Sequence, residues 1–132
     1  IRDAQESRGL GDVYKRQDEY INLITYRHDK SPVSTPVWLS QLGDSIVITS
    51  SLNAGKVKRI KATGRATIYT TNQSGSKKLS EEIEVNASIV EDEYEKQLGI
   101  KAIRNKYSPI SKLFMKGPDK NRAIIKLEER RR

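Results

Sequence analysis

"TPVWLSQLGDSIVITSSLNAGKVKRI", Thr35 to Ile60, decides how the rest of the chain is read. β-Branched and apolar residues on either side of Gly43-Asp44 place a second strand over Val33–Leu42 and a third over Ser45–Ser51, joined by a two-residue hairpin turn. Pro36 lies inside the second strand. It has no N–H for a ladder, so the strand needs a bulge or a free edge there. Ile46 and Ile48 share one face of the third strand and Val47 takes the other, which predicts cover on both faces. Asn53 then reads as the N-cap of a short helix, Ala54 to Ala62, whose Val57 and Ile60 stand three apart as its buried contact. Thr63-Gly64 ends it. The helix opens on Gly55 and carries four cations, Lys56, Lys58, Arg59 and Lys61, directly after a hairpin.

Working outward, "YINLITYRH" (Tyr20–His28) reads as the first strand and "DKSP" as the turn that follows it. "RATIYTT" (Arg65–Thr71) is the fourth strand and "NQSGSKK" a polar loop. "LSEEIEVNASIV" alternates through Ile83, Val85, Ala87 and Ile89 as the fifth. Glu91-Asp92-Glu93 puts negative charge where a helix begins, favourable to its dipole. That helix runs to about Tyr107. Its apolar stripe shifts phase at Gly99, from Tyr94/Leu98 to Ile100/Ile103/Tyr107, which predicts a kink or a second contact surface. Ser108–Lys120 reads as a loop and "RAIIKLE" as the last strand. Six strands, with a short helix after the third and a longer one after the fifth, suggest a small, mainly antiparallel barrel with helices at its rim, an open sandwich being the alternative.

The composition sets limits on function. With 132 residues, 35% apolar and 32% charged, the chain holds one domain with a thin core, to which a partner subunit could add surface. The absence of cysteine excludes disulfides, thiolate metal sites and cysteine nucleophiles, and points to a reducing cytoplasm. The single histidine, His28, reads as a turn residue and cannot form a His-rich site. No run approaches the roughly 20 apolar residues of a membrane helix. The net charge of +8 is concentrated: residues 101–132 hold 11 Lys/Arg against 3 Asp/Glu, while residues 1–100 balance. Nucleic-acid binding is a remote alternative, because the strand aromatics Tyr26, Trp38 and Tyr69 are not interleaved with the basic C-terminal segment. Residues 1–17 read as a non-native or flexible segment, 18–129 as the domain and 130–132 as a basic tail.

Thr35-Pro36-Val37-Trp38, paired at this spacing with Gly55-Lys56-Val57-Lys58-Arg59, resembles the pyridoxamine-5'-phosphate-oxidase-like split β-barrel family. Within it, the chain looks most like the small branch that uses the deazaflavin coenzyme F420. The resemblance covers about Glu19 to Glu128. It implies a six-stranded antiparallel split barrel of the FMN-binding type, forming a homodimer with the cofactor in grooves between protomers. It also implies an oxidoreductase passing a hydride between reduced F420 and a small organic acceptor, with FMN as the alternative cofactor. A non-catalytic flavin or deazaflavin carrier is a further alternative. The cations after the hairpin then have a purpose, since helix N–H groups converging with lysine or arginine hold a phosphate well. Gly55 allows close approach, Thr49, Ser50 and Ser51 offer hydroxyls, and Lys56 and Arg59 share a face that can clamp one phosphate. Lys58 points elsewhere and suits a longer acidic tail.

Thr35, Pro36, Val37 and Trp38 are expected beside the ring. Pro36 leaves a neighbouring carbonyl for the ring's pyrimidine edge, and Trp38 either walls the substrate cavity or packs as an ordinary core aromatic. No nucleophile–base pair stands out, so none of the residues is assigned as catalytic and the chemistry falls to the cofactor. Two departures concern turns. Asp29-Lys30-Ser31 stands where the family usually has a glycine, and Thr63-Gly64 where relatives often carry Asn-Pro.

Overall fold

A computed structural model describes residues 20–42, 45–72, 74–107 and 121–129. The N-terminal segment 1–17, the Gly43-Asp44 turn, the loop 108–120 and the tail 130–132 lie outside the described residues. The elements run β1 (Tyr20–Tyr26), β2 (Pro32–Val37), β3 (Leu39–Leu42), β4 (Ser45–Ser51), α1 (Gly55–Thr63), β5 (Arg65–Thr71), β6 (Ile83–Ile89), α2 (Glu93–Lys106) and β7 (Arg122–Glu129). All pairings are antiparallel, in the order β2-β1-β5-β6-β7-β4-β3.

The two ends of that order are consecutive in the chain. β2 and β3 are separated by one residue, Trp38, so the sheet curls until its edges approach and a split remains between them. The expected second strand, Val33–Leu42, is therefore two strands. Its ladder with β1 ends where Val37 faces Ile21, and its ladder with β4 begins where Leu39 faces Ile48. Pro36 falls on the edge strand β2, opposite Asn22, a location its missing N–H permits. The split β-barrel expected from the resemblance is the fold observed, with seven described strands instead of six because of this break.

Period-2 alternation decides which residues fill the barrel. Ile21 and Leu23 of β1, Ile46 and Ile48 of β4 and Ile125 and Leu127 of β7 are all buried in one interior cluster. Val57 and Ile60 join it from α1, which closes one end of the barrel. Val47 and Ile124 face the other way and form a second cluster with Val90, Ile100 and Ile103 under α2. Cover on both faces of β4 is thus observed. Fully burying one such side chain contributes about 1.5–3 kcal/mol, so both clusters matter to a thin core.

Several boundaries differ from the sequence reading. The N-cap of α1 is Ala54, in extended conformation and without a side-chain cap, because Ala54 N–H closes a turn onto Ser51 O (3.1 Å) and leaves Asn53 inside that turn. β6 begins at Ile83, since Leu79 and Ser80 are engaged by Thr70 before the β5–β6 ladder starts at Ile68–Ile83. Gly99, where the stripe predicts a kink or a second contact surface, lies within one continuous helix from Glu93 to Lys106, capped by Asp92, which accepts from Glu95 N–H (2.9 Å), and marks a contact surface. Gly99 serves close packing. A Cβ there would lie 3.1 Å from Ile124 Cγ2. The phase shift marks the point where the stripe leaves solvent, Tyr94 being 73% and Leu98 38% exposed.

The β1–β2 turn is held by Arg27 N–H to Ser31 O (2.9 Å), Lys30 N–H to Arg27 O (2.8 Å) and Ser31 Oγ to Asp29 Oδ1 (2.6 Å). The Ser31 hydrogen bonds, side chain first, hold the Asp29 carboxyl below its usual range. Lys30 has φ 72°, the left-handed region that costs an L-residue about 1–2 kcal/mol. Lys30→Gly is expected to stabilise the protein by about 0.5–1 kcal/mol, the gain being reduced by glycine's freer unfolded chain. Urea titration checks this, and a destabilised variant would mean the lysine side chain supports the turn.

Candidate functional site

The first turn of α1 gathers the cations. Arg59 is half-buried, and its Nε donates to Thr25 Oγ1 at 2.7 Å, tying the guanidinium to the end of β1. The same guanidinium folds back over the start of the helix, so that a Cβ on Gly55 would come within 2.7 Å of Arg59 Nη1. Gly55 thus keeps open the space that Arg59 occupies. Lys56 is also half-buried, and its ammonium is held below the ordinary lysine value, first by burial and then by the charge of Arg59. Lys56 and Arg59 therefore act on each other, as their spacing predicted. No residue of the first turn is acidic, and the N-terminus has no side-chain cap. Lys58 is exposed on another face of the helix.

The hydroxyl residues at the end of β4 separate. Ser50 continues the barrel-interior face of Ile46 and Ile48, is buried, and donates from Oγ to Ser51 O at 3.1 Å. Thr49 continues the Val47 face toward α2, and its buried Oγ1 has no hydrogen-bond partner among the described residues. Ser51 is exposed at the strand end.

The Thr35–Trp38 stretch lies on the opposite barrel edge. Thr35 and Val37 point inward beside Leu23 and Ile21, while Pro36 points outward opposite Asn22. Among the described residues β2 pairs only with β1, so its other edge is open. The β5–β6 loop touches the outer side of Pro36, which remains exposed. Asn22, 2% exposed, donates from Nδ2 to Tyr69 Oη (2.8 Å) and to Gly75 O (3.0 Å), seating Gly75 against the proline ring. Trp38 is half-buried and stacked on Tyr107, with ring centroids 4.5 Å apart and planes 7° from parallel.

Residues that the sequence reading did not single out complete this arrangement. Thr25 carries a signal in hindsight: it continues the period-2 face of Ile21 and Leu23 with a polar group, where an apolar one belongs. Asn22 breaks the apolar run of β1 in the same way. His28 is exposed on the β1–β2 turn. Among the described residues no group of three or more His, Asp or Glu could hold a metal, and no helix is long and apolar enough to cross a membrane. A cleft of about 460 Å³ between Tyr26, Lys30, Thr63, Arg65, Thr67 and Glu84 includes none of the expected site residues.

No family model matches the chain, and no curated protein matches it in sequence. Solved structures do match in fold. A conserved hypothetical protein from Mycobacterium tuberculosis, Rv2991, superposes with TM-score 0.71 at 15% identity, over 90% of this chain and 78% of the other. The haem storage protein HutZ from Vibrio cholerae gives TM-score 0.68 at 13% identity, over 93% and 89%. An F420 reductase gives 0.61 at 18% identity, over 91% and 93%. At these identities the likeness is one of fold, a split barrel shared by proteins with different ligands.

Proposed function

We propose that this protein is an oxidoreductase that binds F420, with FMN as the alternative cofactor, through a phosphate site at the start of α1. The observation that carries this reading is the Lys56–Arg59 pair. Two cations sit half-buried side by side at a helix N-terminus without a side-chain cap, with Gly55 leaving room for the Arg59 guanidinium over the helix start. Burial and mutual repulsion both disfavour that arrangement, and a bound phosphate relieves both. Both candidate cofactors bring a phosphate.

When bound, a deazaflavin or flavin ring supplies hydride transfer that no side chain can. The chain's own residues bind and orient. Lys56 and Arg59 hold the phosphate, Thr25 fixes Arg59, and the open edge of β2 from Thr35 to Val37 offers backbone groups to the ring, with Trp38 beside it. Ser50 and Ser51 lie at the strand end that leads into α1, and Lys58 is available to the acidic tail that F420 has and FMN lacks. An F420 reductase shares the fold, which supports the same choice. Haem is named for HutZ and is not carried over to this chain, whose single histidine, His28, is exposed on the β1–β2 turn. The nucleic-acid reading loses support as well. Trp38 is stacked on Tyr107, and the Tyr69 hydroxyl accepts from Asn22, so these aromatics are engaged within the protein.

The homodimer belongs to this proposal. Tyr94 and Leu98, one turn apart on α2, present exposed apolar surface that a second copy could cover. The test is a paired equilibrium titration of the protein with F420 and with FMN, followed by cofactor fluorescence, then acceptor-dependent oxidation of the bound reduced cofactor. Micromolar or tighter binding of F420 is expected. Binding without turnover across acceptors would leave a carrier, and binding of neither cofactor would refute the reading.

A further inference from the structure

The split in the barrel is filled by a side chain from α2. The β1–β2 ladder stops at Ile21–Val37, and Trp38 leaves the ladder just where it would have faced Tyr20. Tyr107, the C-cap of α2, enters at that point. Its ring stacks on Trp38 and meets Tyr20 at 6.0 Å. Its hydroxyl accepts from Leu39 N–H at 3.1 Å and donates to Leu39 O at 3.2 Å. One phenol thus serves both backbone groups of the first residue of β3, as a neighbouring strand would.

We propose that Tyr107 is a positioning residue for the cofactor: its hydroxyl pins Leu39 and its ring fixes Trp38, so that the Thr35–Trp38 backbone is presented in one place as the chain crosses between sheet edges. The inference rests on the reading of Thr35–Trp38 as the strand beside the cofactor ring. Trp38 is the only residue between the two ladders, so its two backbone dihedrals set the angle between β2 and β3. Without the clamp, that angle is free to vary at the residue adjoining the proposed ring site. Burial raises the Tyr107 phenol to about 12, so the hydroxyl keeps its proton, and both bonds, throughout the neutral range.

The test uses the full chain with Tyr107→Phe, which keeps the ring and removes the hydroxyl, and Tyr107→Leu, which removes both. Dissociation constants for F420 and FMN are measured by fluorescence, and inorganic phosphate is titrated as a competitor at the Lys56–Arg59 site. Tyr107→Phe is expected to weaken cofactor binding about tenfold, because the unpinned segment must then be ordered when the cofactor binds, and to leave the phosphate constant unchanged. Tyr107→Leu should weaken the cofactor further with the same selectivity. A merely structural tyrosine would weaken cofactor and phosphate binding together, in step with a fall in the melting temperature. Unchanged cofactor affinity in Tyr107→Phe, or parallel loss of cofactor and phosphate, overturns the inference while leaving the cofactor reading intact. Failure of the unaltered protein to bind either cofactor overturns both.

Discussion

Replacing Lys56 by alanine is expected to weaken binding of F420 or FMN by roughly 10- to 100-fold, the loss of one hydrogen bond between charged groups at a partly dehydrated site. The fold should survive, because Lys56 is half-buried and belongs to neither core cluster. The pH dependence has a definite sign. Burial, then Arg59, holds the ammonium below the ordinary lysine value, so the charged form is disfavoured in the free protein. A bound phosphate favours it. Cofactor affinity should therefore be highest where Lys56 is charged and fall as pH rises through the lowered value. Stability of the cofactor-free protein moves the other way. The unfolded chain holds this proton to higher pH than the folded one, so the Lys56 contribution to stability rises with pH between the two values. Lys56→Ala should remove both trends. Fluorescence titrations and urea melts across the alkaline range measure them, and an affinity independent of Lys56 would place the phosphate elsewhere.

Gly75→Ala is expected to destabilise the protein by about 3 kcal/mol, the sum of a left-handed backbone and a contact with no room. Gly75 has φ 78°, and a Cβ would stand 2.9 Å from Asn22 Oδ1 and 3.3 Å from Pro36 Cβ and Cγ. Asn22 cannot yield cheaply. It is buried, and its amide holds both Tyr69 Oη and Gly75 O, so moving it leaves polar groups unpaired inside the fold. For a domain of this size the melting temperature should fall by about 10 °C. A change within about 0.5 kcal/mol, the range of an ordinary surface substitution, would show that the β5–β6 loop is not seated on Pro36. Because that loop contacts Pro36 of the proposed cofactor strand, cofactor affinity should fall along with stability.

Most elements of the fold were legible in local sequence. Ile83, Val85, Ala87 and Ile89 alternate because one side of β6 faces the barrel, and Val57 and Ile60 stand three apart because α1 lays one stripe on its end. Gly64 ends α1 at φ 67°, with its N–H on Ile60 O at 2.7 Å, as a glycine after a helical stripe predicts. The pairing of Lys56 with Arg59 followed from helical spacing alone. Each of these rests on a period or a contact within a few residues.

Other features depend on partners far along the chain, and only the tertiary structure decided them. That one stretch forms two strands is invisible in "VSTPVWLSQL", because the break at Trp38 arises from its two halves pairing with opposite edges of one curled sheet. Arg59 is held by Thr25, 34 residues away, and Leu39 by Tyr107, 68 residues away, and neither separation leaves a periodic trace. Tyr107 looked like the last residue of a helical apolar stripe, which it is. Its hydroxyl found a second task only because curling the sheet left two backbone groups at an edge, and a buried backbone group must find a partner. Local sequence thus determined the elements and the charges of the proposed phosphate site, whereas the split and the residue that fills it follow from how distant strands meet.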